Sequence, residues 1–289
     1  MKRFPLVALL AAATALAGQS LSDRLRDVRV PWEAQIDRGD APTVRKGIEA
    51  LLGREGVSVN PSDYNDMHAL VALHGLAARA CVSEGSWEDA VAHLQKAQAA
   101  ADANLASATV LLAKTRADHE AKLKEFRDAL AKQEPRLQQL DAAPGLTQDQ
   151  IKLRQQLKMF VQEQEAAISH SEKALTDITN ILATLQKDKE TTTKALADWQ
   201  AFLSQEKADI ASAGGPSRYA ADKLIQVKAD ESRPQNERLA YARRLEKLDP
   251  ANAEVTRFVH TLLGQEATPA PMPRPMTKRS RRKASSHKR

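Results

Sequence analysis

The residues with the most definite chemistry are eight basic side chains that follow Glu266. They are Arg274, Lys278, Arg279, Arg281, Arg282, Lys283, Lys288 and Arg289, and no acidic residue lies among them. Four prolines between residues 269 and 275 precede the densest part of this cluster. A proline-rich spacer stays extended and holds a charged end away from a folded body. The sequence therefore predicts a polyanion-binding tail, and four ligands remain open: acidic lipid headgroups, anionic cell-wall polymers, nucleic acid or an acidic protein. The alternative is a solubilising tail without a fixed partner.

No other group of residues has the spacing of a catalytic or metal site. His68 and His74 are six positions apart, which does not place them on one face of a helix, and the chain has no His-Glu-x-x-His or Cys-x-x-Cys motif. Adjacent acids such as Glu88 and Asp89 fit the charge preference of a helix start. We therefore predict a protein that is not an enzyme and that has no cofactor or metal. An enzyme with an unrecognised helical site is the least favoured alternative.

The N-terminal 18 residues have the pattern of a signal peptide. Lys2 and Arg3 precede an apolar stretch, and small residues around Ala17 provide a cleavage site. The stretch is shorter than the roughly 20 residues that span a bilayer. We expect an exported protein, periplasmic or extracellular in a bacterium, with an uncleaved N-terminal anchor as the alternative. Export, together with a tail that lacks aromatic residues for base stacking, disfavours nucleic acid as the partner.

Charge and cysteine content agree with a soluble body between two basic ends. The chain has 43 Lys and Arg residues against 37 Asp and Glu residues. Ten of the basic residues lie in the two ends, where acids are absent, so the body between them has a net charge of −4. Cys81 is the single cysteine, which excludes a disulfide within the chain. We expect it to be a small buried apolar residue on a helix.

A heptad pattern between residues 157 and 210 predicts a long coiled-coil helix, because neither glycine nor proline interrupts residues 146–213. Steps of four and three residues connect apolar seam positions at Leu157, Val161, Ile168, Leu175, Ile178, Leu182, Leu185, Leu196, Trp199, Leu203 and Ile210. The polar positions of the same seam are Gln164, Ser171, Lys189, Thr192 and Glu206. Lys189 and Glu206 have side chains long enough to extend their charged groups into water, so they need not be buried.

Another long stretch with almost no glycine or proline precedes this helix, and a short turn separates the two segments. Residues 141–145 have turn composition, and Thr147 with Gln150 forms a capping box for the second helix. Two long helices joined in this way predict an antiparallel hairpin, in which Pro135 should kink or fray the first arm. Pairing of the seam between two chains, which would give a homo-oligomer, remains the alternative.

The predicted fold class is all-α, with the hairpin inserted into a helical base. The expected divisions are a signal peptide at 1–18, the N-terminal part of the base at 19–100, the hairpin at 101–213 with its turn near 141–146, C-terminal helices completing the base at 214–264, and a disordered tail at 265–289. We expect short helices between residues 19 and 60, a helix opened by Asn60-Pro61 that runs to about residue 83, and three C-terminal helices near 218–230, 234–248 and 250–263.

One segment of the base resembles a single tetratricopeptide (TPR) unit. The resemblance covers roughly residues 70–103 and includes small residues, a turn glycine and an aromatic at Ala78, Gly85, Trp87, Ala90, Leu94 and Ala97. It departs from the repeat at His74 and Ala77, where an aromatic and a leucine are usual. A weaker match to the junction between repeats lies at 248–255. The resemblance implies a helical base with a concave surface that binds a protein segment.

These features serve contact rather than chemistry. We expect an exported scaffold or adaptor whose TPR-like base and coiled-coil arm contact partner proteins, while the tail holds it near an anionic surface. The alternative is a structural cell-envelope protein that oligomerises through the coiled coil. The sequence does not identify the partner.

Overall fold

The all-α prediction is confirmed. The computed structural model describes residues 20–53 and 63–264, and these ranges contain eight helices and no strand. The helices are α1 (Leu21–Asp37), α2 (Ala41–Leu52), α3 (Tyr64–Ser83), α4 (Trp87–Ala142), α5 (Gln148–Ser212), α6 (Pro216–Ala229), α7 (Gln235–Leu248) and α8 (Ala253–Leu262). The predicted signal peptide, the helix start at Asn60-Pro61 and the basic tail lie outside the described residues. None of the helices in the described ranges is long and apolar enough to cross a membrane.

Helices α1, α2 and α3 form the N-terminal part of the base. Their apolar faces meet in one buried cluster that includes Val44, Ile48 and Leu73. Helix α1 is longer than expected, because it continues through Pro31. Proline removes a single N–H from the helix. The turns that follow Pro31 stay helical because Trp32 and Ile36 pack in the buried cluster.

Helices α4 and α5 are 56 and 65 residues long, and they form the hairpin. At about 1.5 Å per residue, each extends for roughly 85–100 Å. The predicted capping box is present, since the Thr147 hydroxyl accepts from the Gln150 N–H and the Gln150 side chain accepts from the Thr147 N–H. Helix α4 does not end at Pro135, which lies within it. The hydrogen bond lost there is the one to the Ala131 carbonyl, about three turns before the helix ends.

Side-chain pairs along the hairpin show that its two helices run antiparallel. Asp102 pairs with Lys189 at 3.0 Å near the base, and Arg127 pairs with Glu172 at 2.7 Å farther out. Asp141 lies 3.2 Å from Lys158 beside the turn. The heptad seam of α5 is therefore covered within one chain, and none of its sixteen positions is exposed.

Helices α6, α7 and α8 complete the base at the end of α5. Two buried clusters join them, one around Leu224, Leu245 and Val255 and the other around Leu239 and Val259. The helices begin or end up to three residues from their expected positions. Helix α8 begins at Ala253 because the Asn252 side chain, rather than Pro250, provides the cap.

Candidate functional site

One concave surface of the base is a groove between α1, α3 and the adjoining turns of α5, which we call the base groove. Its α1–α3 part has a volume of about 530 Å³, and its α3–α5 part has a volume of about 310 Å³. The two parts are continuous, because both contain Arg29, Glu33, His68 and Ala72. The other residues that line them are Ser22, Leu25, Arg26, Val30, Asn65, Ala69, Val71, Gly75, Leu76, Arg79, Asp188, Thr191 and Thr192.

The floor of the base groove is apolar, and small residues on α3 keep it open. Ala69, Ala72 and Gly75 follow one another at three-residue spacing on that helix. A Cβ added at Gly75 would meet no atom within 4 Å, so the space above this residue is empty. Val30, on the α1 side, is 70% exposed. The surface thus combines apolar character with room for side chains from another molecule.

The charged groups at the rim of the groove are paired within the chain. His68 Nδ1 lies 2.6 Å from an Asp188 carboxylate oxygen and connects α3 to α5. Arg29 donates to Glu33 at 3.1 Å. Arg79, which also lines the groove, donates to Asp37 at 2.6 Å. Because the charged side chains at the rim already have partners within the chain, the part of the groove that remains without a partner is its apolar floor.

A buried ion cluster fixes the orientation of the base relative to the hairpin. Arg244 on α7 donates to both carboxylate oxygens of Glu206 on α5 and to both of Glu88 at the start of α4. Burial opposes the charge of Arg244, but the hydrogen bonds that it donates to the two carboxylates outweigh this effect and raise its pKa. The hydrogen bonds from Arg244 also lower the pKa of Glu88. Of the two positions that the sequence left open, burial or extension into water, Glu206 takes the first, because its side chain is 2% exposed and is held by Arg244.

The turn between α3 and α4 packs directly against α7. Arg243 donates to the Ser83 carbonyl and to the Gly39 carbonyl, both at 3.0 Å, and so connects three segments of the base. Gly85 has a φ of +70°, and a Cβ at this residue would lie 2.4 Å from the backbone nitrogen of Arg244. This contact with α7 requires glycine at the turn.

One buried and one half-buried histidine meet between α3 and α4, on the face of α3 that packs on the hairpin. Their Nδ1 atoms, in His74 and His93, lie 3.2 Å apart, so one ring donates to the other. Burial, together with the neighbouring positive charges of His93 and Lys96, lowers the pKa of His74 to about 4. The pair is therefore neutral at physiological pH, as a packing element would be.

Of the site residues predicted from the sequence, the structure describes the seam residues but not the basic tail. The eight basic residues of the tail lie outside the described residues. The eleven apolar seam residues are all buried or half-buried. Cys81 is buried as expected, and burial raises the pKa of its thiol to about 11, which keeps it protonated.

Sequence reasoning missed both the base groove and the Arg244 cluster. The small residues on α3 were a readable signal for the groove, since a helix that packs on two neighbours usually brings large apolar residues to every covered face. Nothing local marks Arg244 as the partner of Glu88 and Glu206, which are 156 and 38 positions away in the sequence.

Across 20–53 and 63–264, no three or more His, Cys, Asp or Glu side chains come together in a way that could hold a metal ion. No protein family, curated protein or solved structure matches this chain.

Proposed function

We propose that this protein is a non-enzymatic scaffold or adaptor whose base groove binds a segment of a partner protein. The observation that carries the proposal is the open apolar floor above Gly75, bounded by rim charges that are already paired within the chain. Covering such a floor with apolar side chains is favourable by about 25 cal/mol per Å². The small floor residues would admit the large side chains of an amphipathic helix, a common mode of peptide recognition. A protein-binding concave surface is also what the TPR resemblance implies.

The hairpin would extend the contacts of this adaptor away from its base, and the tail would determine where the adaptor is held. The arm would carry contacts tens of ångströms away from the base, in an exported protein held near an anionic surface by its basic tail. Binding of the full chain to vesicles that contain anionic lipid, and its loss when Arg279, Arg281, Arg282 and Lys283 are changed to Gln, tests the tail. A structural protein that oligomerises through the Leu157–Ile210 seam is less favoured, because α4 covers that seam.

The test of the groove begins with a photo-crosslinking amino acid at Ala72, and the matched control position is Ala92, exposed on α4. The protein captured at residue 72 but not at residue 92 is then purified, and its affinity is measured by titration calorimetry. Gly75→Leu should weaken binding at least about tenfold by filling the groove. It should not lower the melting temperature, because leucine favours helix over glycine. Ala92→Leu should bind normally.

Two results would overturn the proposal. The first is equal affinity of the Gly75→Leu variant and the unmodified protein for the captured partner. The second is crosslinking at residue 92 with the same products as at residue 72, which would mean that the base groove has no preferred occupant.

A further inference from the structure

Two histidines meet between the long helices of the hairpin, well away from the base. His119 lies on α4 and His170 lies on α5, and the centroids of their imidazole rings are 6.1 Å apart. The ring planes are tilted by 59° relative to each other, so the two rings are not stacked. We call these residues the hairpin histidine pair. They are far apart in the sequence, so no spacing motif could have shown them together.

His119 occupies a position of α4 where the heptad pattern calls for an apolar residue. Leu112 and Phe126 lie seven residues before and after His119, and all three side chains are half-buried. His170 is exposed and directly precedes Ser171, which is buried in the seam of α5. One ring of the pair therefore lies within the interface between the helices, and the other lies at its edge, where a dissolved ion can reach it.

The Nδ1 atom of His119 is buried, and among the described residues it has no hydrogen-bond partner. Burying a polar atom without a partner is costly, and proteins satisfy nearly all such atoms. An apolar side chain at this heptad position would avoid the cost, so packing of the hairpin alone does not account for a histidine here. A buried imidazole nitrogen beside a second imidazole favours a ligand that binds nitrogen atoms.

The separation of the two rings suits one metal ion between them. Bonds from zinc to imidazole nitrogen are about 2.0–2.1 Å long, which places the ion roughly 3.2 Å from the centroid of each ring. Two rings bound to a tetrahedral ion are then about 5 Å apart, and two rings on opposite sides of an ion are about 6.4 Å apart. The 6.1 Å of the pair lies between these values. Small side-chain rotations would therefore bring both rings into contact with one ion.

We propose that His119 and His170 form a binding site for one divalent transition-metal ion, with water molecules as its remaining ligands. Imidazole is a preferred ligand of Zn²⁺, Ni²⁺ and Cu²⁺, and Cu²⁺ should bind most tightly of the three. Ca²⁺ and Mg²⁺ prefer oxygen ligands, so they should not compete for this site.

The acidic residues nearest to the pair in sequence already have partners. Glu120 lies 3.0 Å from Arg116, and Glu172 lies 2.7 Å from Arg127. In the part of the chain that the structure describes, no third histidine, cysteine or acid joins the pair as a ligand. Dedicated zinc sites have three or four protein ligands. We therefore expect an exchangeable ion, bound more weakly than a structural zinc.

An ion held by both helices would stabilise the outer part of the hairpin. In the described ranges, the five buried apolar clusters have no member between residues 102 and 194, so this region depends on its seam and on surface pairs. A ligand that binds the paired helices but not the unfolded chain shifts the equilibrium towards the paired form. The metal ion would thus determine how firmly α4 and α5 are joined at this point.

Titration calorimetry of the full chain with zinc chloride tests the site, using protein without an affinity tag that a chelator has freed of metal. His119→Gln and His170→Gln should each weaken zinc binding at least about tenfold, because each removes one of two ligands. The double variant should bind little more weakly than either single variant. His260→Gln, at an exposed position on α8, is the matched control and should retain the affinity of the unmodified protein.

Hydrogen exchange locates the ion independently of its affinity. Zinc should slow amide exchange in α4 and α5 beside the pair and should leave α8 unchanged. His119→Leu should fold at least as stably as the unmodified protein without zinc, because an apolar side chain replaces a polar one in the heptad pattern, and it should lose the effect of zinc. This variant separates the loss of a ligand from the loss of the fold. Equal zinc affinity of His119→Gln and the unmodified protein, or the same zinc protection in His119→Leu, would overturn the proposal.

Discussion

At the scale of single residues, the base is held to the hairpin by one buried cation and two carboxylates. Glu206 lies at a heptad position, where a solvated charged residue is the ordinary expectation. It is buried because Arg244 on α7 approaches from the end of the hairpin and supplies several hydrogen bonds. A buried pair of this kind adds little net stability, but the removal of one partner leaves a charge uncompensated. Its role here is to fix one orientation of α7 against α4 and α5.

Gly85 should tolerate no side chain. Gly85→Ala would place a methyl group 2.4 Å from the Arg244 nitrogen and would hold a non-glycine residue at positive φ. We expect the free energy of unfolding to fall by at least about 3 kcal/mol. Gly145→Ala is the matched control, because Gly145 also has a positive φ but a Cβ added there would meet no atom within 4 Å. It should cost about 1 kcal/mol. Urea denaturation of both variants measures the difference, and equal losses would contradict the proposed contact with α7.

His74 should make the base less stable in mild acid. Its pKa in the folded protein is lowered to about 4 from an ordinary value of 6.5, so the unfolded chain binds more protons between these pH values. The stability that the neutral ring contributes is complete above pH 6.5 and is lost as the pH falls towards 4. Between pH 7.5 and 5 the loss should reach up to about 2 kcal/mol.

Urea denaturation at the two pH values measures this loss. His74→Leu should reduce it, whereas His170→Gln, at an exposed position on α5, should retain it. The same pH dependence in the His74 variant and the unmodified protein would exclude His74 as the source.

At the scale of helices, the features predicted from the sequence are those that depend on residues close together in the chain. The capping box at Thr147 and Gln150, the turn beside it and the heptads of α5 all depend on residues a few positions apart, and these predictions agree with the hairpin. The partner of the seam could not be read in this way, because an apolar stripe indicates that it must be covered but does not indicate by which helix. The base groove exists only where α1, α3 and α5 meet, and its single local signal was the row of small residues on α3. The TPR resemblance stays a prediction.

At the scale of the whole molecule, the cores lie in the base and the distal arm is a separate projection. The five buried apolar clusters contain residues of the base and of the adjoining turns of α4 and α5, and none of their members lies between residues 102 and 194. On the side of Lys189 away from the base, the two helices of the arm are joined by their own seam and by exposed pairs such as Arg127 with Glu172. Exposed pairs of this kind contribute little stability. The length of the arm should therefore be adjustable without loss of the base.

Removal of residues 120–140 and 152–172 should shorten the protein without unfolding the base. The deletion takes three heptads from each helix, so the seam register is retained, and the turn with its capping box at Thr147 is left intact. Small-angle X-ray scattering should show a maximum dimension reduced by about 30 Å, at about 1.5 Å per residue for 21 residues. The melting transition of the base should stay in place, because no member of its clusters is removed.

A matched deletion of 20 residues from each helix breaks the heptad register and should expose the seam, which is measurable as increased binding of a hydrophobic dye. If the in-register deletion also unfolded the base, the arm would be part of its folding unit rather than a spacer. If that deletion instead left both the base and groove binding intact, the arm would act as a spacer whose length can vary independently of the binding surface.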